Sequence, residues 1–291
     1  MLALAVMSCL LPRSAVAQST TPAAGAPPSR RLQVLPVGDL FSPLIADPKQ
    51  PQFHLSFLVT DSPVFDTQVG AVGFGETFGL VRRPGRRPGD GWQLDLAGVV
   101  FAQFDMRRQS TDLVNADYLV GLPLTYRHGR LSARLSLHHQ SSHLGDEYLL
   151  RENPVRLNVS YDALQLLVAR DLGAWRVYGG ADCVFVHAPA PLKDGILDGG
   201  LEYRRPTPLF RTGTREAARL VAALDVQSWQ RGGWVQSWSA RAGVEVGPLG
   251  PADQGLGRTW SLLLEAFQGP TPFGQFYGET LSYVGLGLHF R

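Results

Sequence analysis

The feature that most constrains this chain is a two-residue hydrophobic period that returns again and again from residue 53 to the C-terminal end. It predicts about twelve strands, near 53–60, 69–82, 91–106, 112–127, 130–141, 154–168, 174–187, 195–205, 217–229, 233–247, 257–268 and 280–290. Most are longer than the roughly nine to eleven residues that cross a bilayer at a tilt, whereas strands of soluble sandwiches run nearer five or six. No stretch after the N-terminus approaches the roughly 18 consecutive apolar residues of a spanning helix. A membrane-embedded form must therefore be a closed barrel, the only other structure that satisfies its own backbone in lipid.

Several strands separate their faces cleanly. In ADYLVGLPLTYR, Ala116, Tyr118, Val120, Leu122, Leu124 and Tyr126 share one side, against Asp117, Gly121, Pro123, Thr125 and Arg127 on the other. Tyrosines close both ends of the apolar side, as an interfacial girdle does. In WVQSWSARAGVEV, Arg241 and Glu245 fall mid-strand opposite Trp238, Ala240 and Val244, a pattern suited to a polar lumen rather than a dry sandwich core. Asp95, Asp105, Asp117, Asp182, Glu202 and Glu265 are expected to line that lumen with Arg134, Arg156 and Arg241, paired as a plug more readily than as a pore. Tight links at RHGR and RDLGAW alternate with the longer SSHLGDEYLLREN, HAPAPLKDG and FQGPTPFGQFYGE, while RRPTPLFRTGTRE breaks the alternation. The last strand, LSYVGLGLHFR, sets Val284, Leu286, Leu288 and Phe290 outward.

Composition supports strands and turns, with 32 Gly, 21 Pro and only 3 Met in 291 residues. The formal charge of +2 is too small and too dispersed for a nucleic-acid surface. Residues 1–17 read as a signal peptide, cut after Ala15-Val16-Ala17, and 18–52 as a flexible, irregular N-terminal extension in which FSPLIADPKQPQF leads onto the first strand. Residues 53–291 form the barrel. Cleavage leaves Cys183 as the only cysteine, which excludes a disulfide framework or thiolate metal site within one chain. The fold class is all-β: a single antiparallel transmembrane β-barrel of about twelve strands, placed in the outer membrane of a Gram-negative bacterium.

The chemistry concentrates in LSLHHQSSHLGDEY, residues 135–148. The outward parity Leu131, Ala133, Leu135, Leu137 continues to His139 and Ser141. Residues i and i+2 of a strand stand about 6–7 Å apart on one face, so an imidazole can lean over to take a serine proton. Asn153 is expected to orient that imidazole, from a following strand whose outward series is Val155, Leu157, Val159 and Tyr161. His143, Asp146 and Glu147 are candidate ligands for calcium or a lipid phosphate, weighed against a plain charged loop. His and Ser at a strand end also suit an ordinary polar girdle.

His139-Gln140-Ser141 with Asn153 twelve residues beyond Ser141 resembles the His-x-Ser…Asn site of outer-membrane phospholipase A, a twelve-stranded barrel with its triad on the outer surface. Lipid A deacylase barrels are similar, with a downstream Glu for which Glu147 or Glu152 would stand. The wider chain also resembles a family of exported bacterial proteins of unknown function. The resemblance implies a serine-dependent lipid acyl hydrolase acting on membrane lipids or lipopolysaccharide: Ser141 nucleophile, His139 base, Asn153 orienter. Ser142-His143 stand where the phospholipase has Asn-Gly, and Pro154 interrupts the start of the Asn153 strand. The alternatives are a non-catalytic structural or narrow-channel barrel, and a secreted β-sandwich.

Overall fold

The computed structural model describes residues 31–65, 67–154, 158–188, 194–214, 216–248 and 258–291. Its strands are β1 (Gln33–Val34), β2 (Phe53–Asp61), β3 (Gln68–Pro84), β4 (Gly91–Asp105), β5 (Asp112–His128), β6 (Leu131–Leu144), β7 (Val159–Leu172), β8 (Trp175–Ala188), β9 (Asp194–Arg204), β10 (Phe210–Arg211), β11 (Glu216–Trp229), β12 (Val235–Pro248), β13 (Trp260–Pro270) and β14 (Thr280–Phe290). β2–β9 and β11–β14 pair antiparallel with their neighbours, and β14 returns to β2, which closes a twelve-stranded barrel. The two-residue β1 and β10 only extend the edges of β3 and β11. A single sheet closed on itself excludes the two-layer sandwich.

Phe53 and Phe290 are register partners, so the chain enters and leaves the ring at one end. That end also carries the two-residue turns after β5 and β7, where Gly129 (φ 58°) and Gly173 (φ 72°) adopt the left-handed conformation that side chains resist. The other end carries the helix α1 (Asp146–Glu152) and the short 3-10 turns Gln230–Gly232 and Gly274–Phe276.

Alternation along β5 follows the expected faces from Asp117 on: Tyr118, Val120, Leu122, Leu124 and Tyr126 are exposed, and Asp117, Gly121, Pro123, Thr125 and Arg127 are buried, whereas Ala116, expected to begin the exposed row, is buried. An apolar outside around a polar inside is the partition of a barrel solvated by lipid. β7 departs from expectation. Its exposed residues are Leu164, Leu166, Val168, Arg170 and Leu172, so even numbers face outward, and Val159 is buried. Tyr161 and Val159 thus turn inward; Tyr161 packs with Trp229 on an internal cluster of Ala163, Val184 and Ile196. A patch of internal apolar packing at the top of the strand resembles a lipid face when only alternation is visible. Val155, Arg156 and Leu157 lie outside the described residues.

The segment leading to β2 does more than connect. Leu40, Phe41, Leu44, Ile45, Ala46, Asp47, Gln50 and Gln52 are all buried, and the wall binds the backbone they hang from. Ile45 N–H donates to Glu202 Oε1 at 2.6 Å, and Arg241 Nη1 donates to the Ile45 carbonyl at 2.9 Å. Arg176 Nη1 donates to the Ser42 carbonyl at 2.9 Å, and its guanidinium covers the Phe41 ring. Lys49 Nζ pairs with Asp117. These contacts reach β5, β8, β9 and β12, so residues 40–52 form an irregular plug across the lumen. Proline at 43, 48 and 51 prevents regular structure, and wall side chains satisfy the backbone that a helix or sheet would have paired.

At the loop end an aromatic lid covers the opening. Phe65 packs edge-on against Phe273 (5.4 Å) and Phe276 (5.1 Å), and Tyr148 of α1 meets Phe276 at 5.8 Å.

Candidate functional site

β6 and β7 bring the candidate side chains together on the outer surface. Leu131, Leu135 and Leu137 are exposed on β6, and His139 and Ser141 follow on the same parity while Ser136, Gln140 and Ser142 are buried inside. In the β6–β7 register His139 stands opposite Asp162, and Ser141 opposite Ser160. His139 Nδ1 lies 2.8 Å from Asp162 Oδ1, with both side chains partly exposed. Ser160 Oγ lies 3.4 Å from His139 Nε2. With the Nδ1–H donating to Asp162, Nε2 is left as the acceptor for the Ser160 hydroxyl. Serine, imidazole and carboxylate then stand in the order that activates a nucleophile.

The geometry differs from expectation in the third member. Asn153 does not pair with His139: it ends α1 in a left-handed conformation (φ 45°, ψ 45°), its N–H donating to the Leu149 carbonyl at 3.0 Å. Asparagine tolerates this conformation and so serves as a helix cap. Asp162 holds the position assigned to it. Ser160 and Asp162 were masked by the inverted parity of β7, because counting Val159 and Tyr161 as lipid-facing turns the residues between them inward. The signal that could have found them is the spacing Ser160-x-Asp162, in register with His139-x-Ser141 and antiparallel to it. The β7–β8 pairing shifts between Asp162 and Ala163, a bulge beside the candidate triad.

His143 continues the outward row of β6 and packs edge-on against Tyr118 at 5.7 Å. Asp146 and Glu147 occupy the first turn of α1, where acidic side chains complement the helix dipole, and Glu152 accepts from Arg151 Nε at 2.9 Å. Among the described residues no three His, Cys, Asp or Glu side chains converge as a metal site.

The expected lumen charges form a second polar system. Glu202 pairs with Arg176 (3.2 Å) and Arg204 (3.3 Å), and Glu265 with Arg241 (3.3 Å) and His289 (3.0 Å). Ser56 Oγ donates to Glu265 at 2.7 Å. None of this faces lipid.

The model of one protein family, described as a protein of unknown function (DUF1207), matches residues 10–291. The chain belongs to that family. No curated protein matches it. Among solved structures it is similar to the outer membrane phospholipase A from Escherichia coli, at 14% identity over 87% of this chain and 95% of that one, with a TM-score of 0.53. The β domain of the Bordetella autotransporter BrkA follows at 13% identity over 82% of this chain and 98% of that one, TM-score 0.42. Pseudomonas aeruginosa OpdQ follows at 8% identity over 82% and 97%, TM-score 0.31. At these identities the likeness to the phospholipase concerns the fold alone, a closed antiparallel barrel of the outer-membrane type.

Proposed function

We propose that this protein is a serine-dependent lipid acyl hydrolase of the Gram-negative outer membrane, acting on phospholipid or lipopolysaccharide at the outer leaflet. The observation that carries the reading is the Ser160–His139–Asp162 arrangement on the lipid-facing side of β6 and β7. A protein of the same barrel fold in E. coli is named as a phospholipase, so lipid hydrolysis is compatible with this architecture.

In the proposed reaction His139 Nε2 takes the Ser160 proton as Oγ attacks the ester carbonyl carbon. Asp162 stabilises the imidazolium that forms and holds the ring in its tautomer. The imidazolium then protonates the departing alcohol, leaving an acyl-serine that water, deprotonated by the same imidazole, converts to fatty acid. Ser141, the nucleophile suggested by the His-x-Ser spacing, stands directly across from Ser160, with Cβ atoms about 4.5–5.5 Å apart. The 3.4 Å contact favours Ser160 as nucleophile, which leaves the Ser141 hydroxyl across the strand pair free to donate to the developing oxyanion. Asn153 acts only as a helix cap.

The test is fatty-acid release from phosphatidylethanolamine and from lipopolysaccharide in mixed micelles, by wild type and by the Ser160→Ala, Ser141→Ala and His139→Ala variants. Activity that survives His139→Ala, or a folded wild type that releases no fatty acid from either lipid, removes the reading. The plugged lumen favours a second reading, a non-catalytic structural barrel, and that absence of release would support it.

A further inference from the structure

Three adjacent strands each place one aspartate on the inner wall: Asp182 of β8, Asp198 of β9 and Asp225 of β11. Asp198 stands opposite Gly180 and Gln227, and Asp225 opposite Gly200, so the three run along a diagonal with successive Cα atoms about 7–8 Å apart. Asp47 of the plug joins this sector, its Oδ1 accepting from Gln227 Nε2 at 3.4 Å. Asp47, Asp182 and Asp198 line a partly open lumenal cavity of about 100 Å³, with Tyr161 and Trp229 also on its wall.

The sector differs from the rest of the lumen. Glu202, Glu245 and Glu265 are all ion-paired. Lys49 and Arg134, the cations on the cavity wall, are directed to Asp117 and to Gln50 and Gln165. Among the described residues none of these four aspartates is in a direct ion pair: Asp182 is met by Gln165, Asp225 by Tyr178 and by Asp198, and Asp47 by Gln227 and a backbone N–H, with the charges of Arg134 and Arg241 acting on the group from farther off. Asp198 is 8% exposed and its Oδ1 has no hydrogen-bond partner; the same holds for Oδ1 of Asp182. Buried carboxylate oxygens of this kind are costly unless something positive meets them.

We propose that this cavity binds a linear di- or polyamine, whose ammonium groups bridge Asp47, Asp182 and Asp198. A metal ion fits poorly, because calcium or magnesium needs a convergent shell of oxygens at about 2.0–2.6 Å and no such convergence exists among the described residues. Nitrogens separated by methylene groups match carboxylates spread over adjacent strands. Tyr161 and Trp229 on the same wall add aromatic surface against which the methylenes and a cation can pack.

The test is calorimetric titration of spermidine into the full-length protein in detergent at neutral pH and 0.15 M NaCl. Saturable binding is expected, weakened about tenfold or more by the Asp182→Asn/Asp198→Asn double replacement. No saturable heat, equal binding by the double variant, or binding of magnesium in place of spermidine overturns the proposal. If the double variant does not fold, Asp47→Asn on the plug carries the same expectation and the same refutation.

Discussion

His139 and Asp162 face each other across two neighbouring strands, Nδ1 to Oδ1 at 2.8 Å, on the outside of a barrel whose other outward positions are mostly apolar. The pair fixes which imidazole nitrogen is free, and that nitrogen points at Ser160. A polar girdle needs polar residues at this height; it does not need them in this order.

Asp162→Asn is therefore expected to leave the barrel folded and to lower lipid hydrolysis by about 10³- to 10⁴-fold, the loss seen when a triad carboxylate can no longer hold the imidazole tautomer. Fatty-acid release by the purified variant, beside its heat-modifiable mobility on gels, checks both halves. An Asn153→Ala variant should keep full activity and lose about 0.5–1 kcal/mol of stability at the end of α1.

Lys49→Met keeps the stem of the side chain and removes the charge that meets Asp117, which is fully buried. Asp117 retains hydrogen bonds from Asn115 and from the Gly274 N–H, so the expected cost is about 3 kcal/mol, at the low end for a broken buried pair. Denaturant unfolding in detergent measures it.

Removal of residues 38–50 takes away the groups that fill the lumen between β5, β8, β9 and β12. Planar-bilayer recordings should show an intact chain that conducts little and a shortened chain that conducts steadily. Equal conductance would mean that the plug does not block the passage.

Asp39, just before the plug, has its carboxyl pushed up from 3.8 to about 7, first by desolvation and then by the charge of Asp95, with Arg82 opposing. Between those two values the unfolded chain releases this proton and the folded one keeps it, so stability falls as pH rises from about 4 to 7 and is level above. Melting temperatures across pH 4 to 8 should show that slope in the wild type. Asp39→Asn should flatten it.

Leu122→Arg places a charge midway along the lipid side of β5 and should cost about 2–4 kcal/mol, against little change for the same replacement at Tyr126 near the strand end. Unfolding from lipid vesicles distinguishes the two.

The sequence by itself determined the barrel. Side-chain alternation is a local property, legible in each strand alone, and it marked twelve spans, the outward Tyr118–Tyr126 face, the inward charges and the outward parity of His139 and Ser141. Only the tertiary structure decided which residues stand beside His139, because the partner across a strand pair depends on register, and a loop containing a helix intervenes between β6 and β7. A two-residue period separates the faces without saying which one is inside, and where the apolar row points inward, as Val159 and Tyr161 do, it reads as a lipid face, and so Ser160 and Asp162 stayed hidden. The plug followed the same logic: Phe41, Leu44 and Ile45 have no period to read, and they are buried because a ring of distant charges binds the backbone between them.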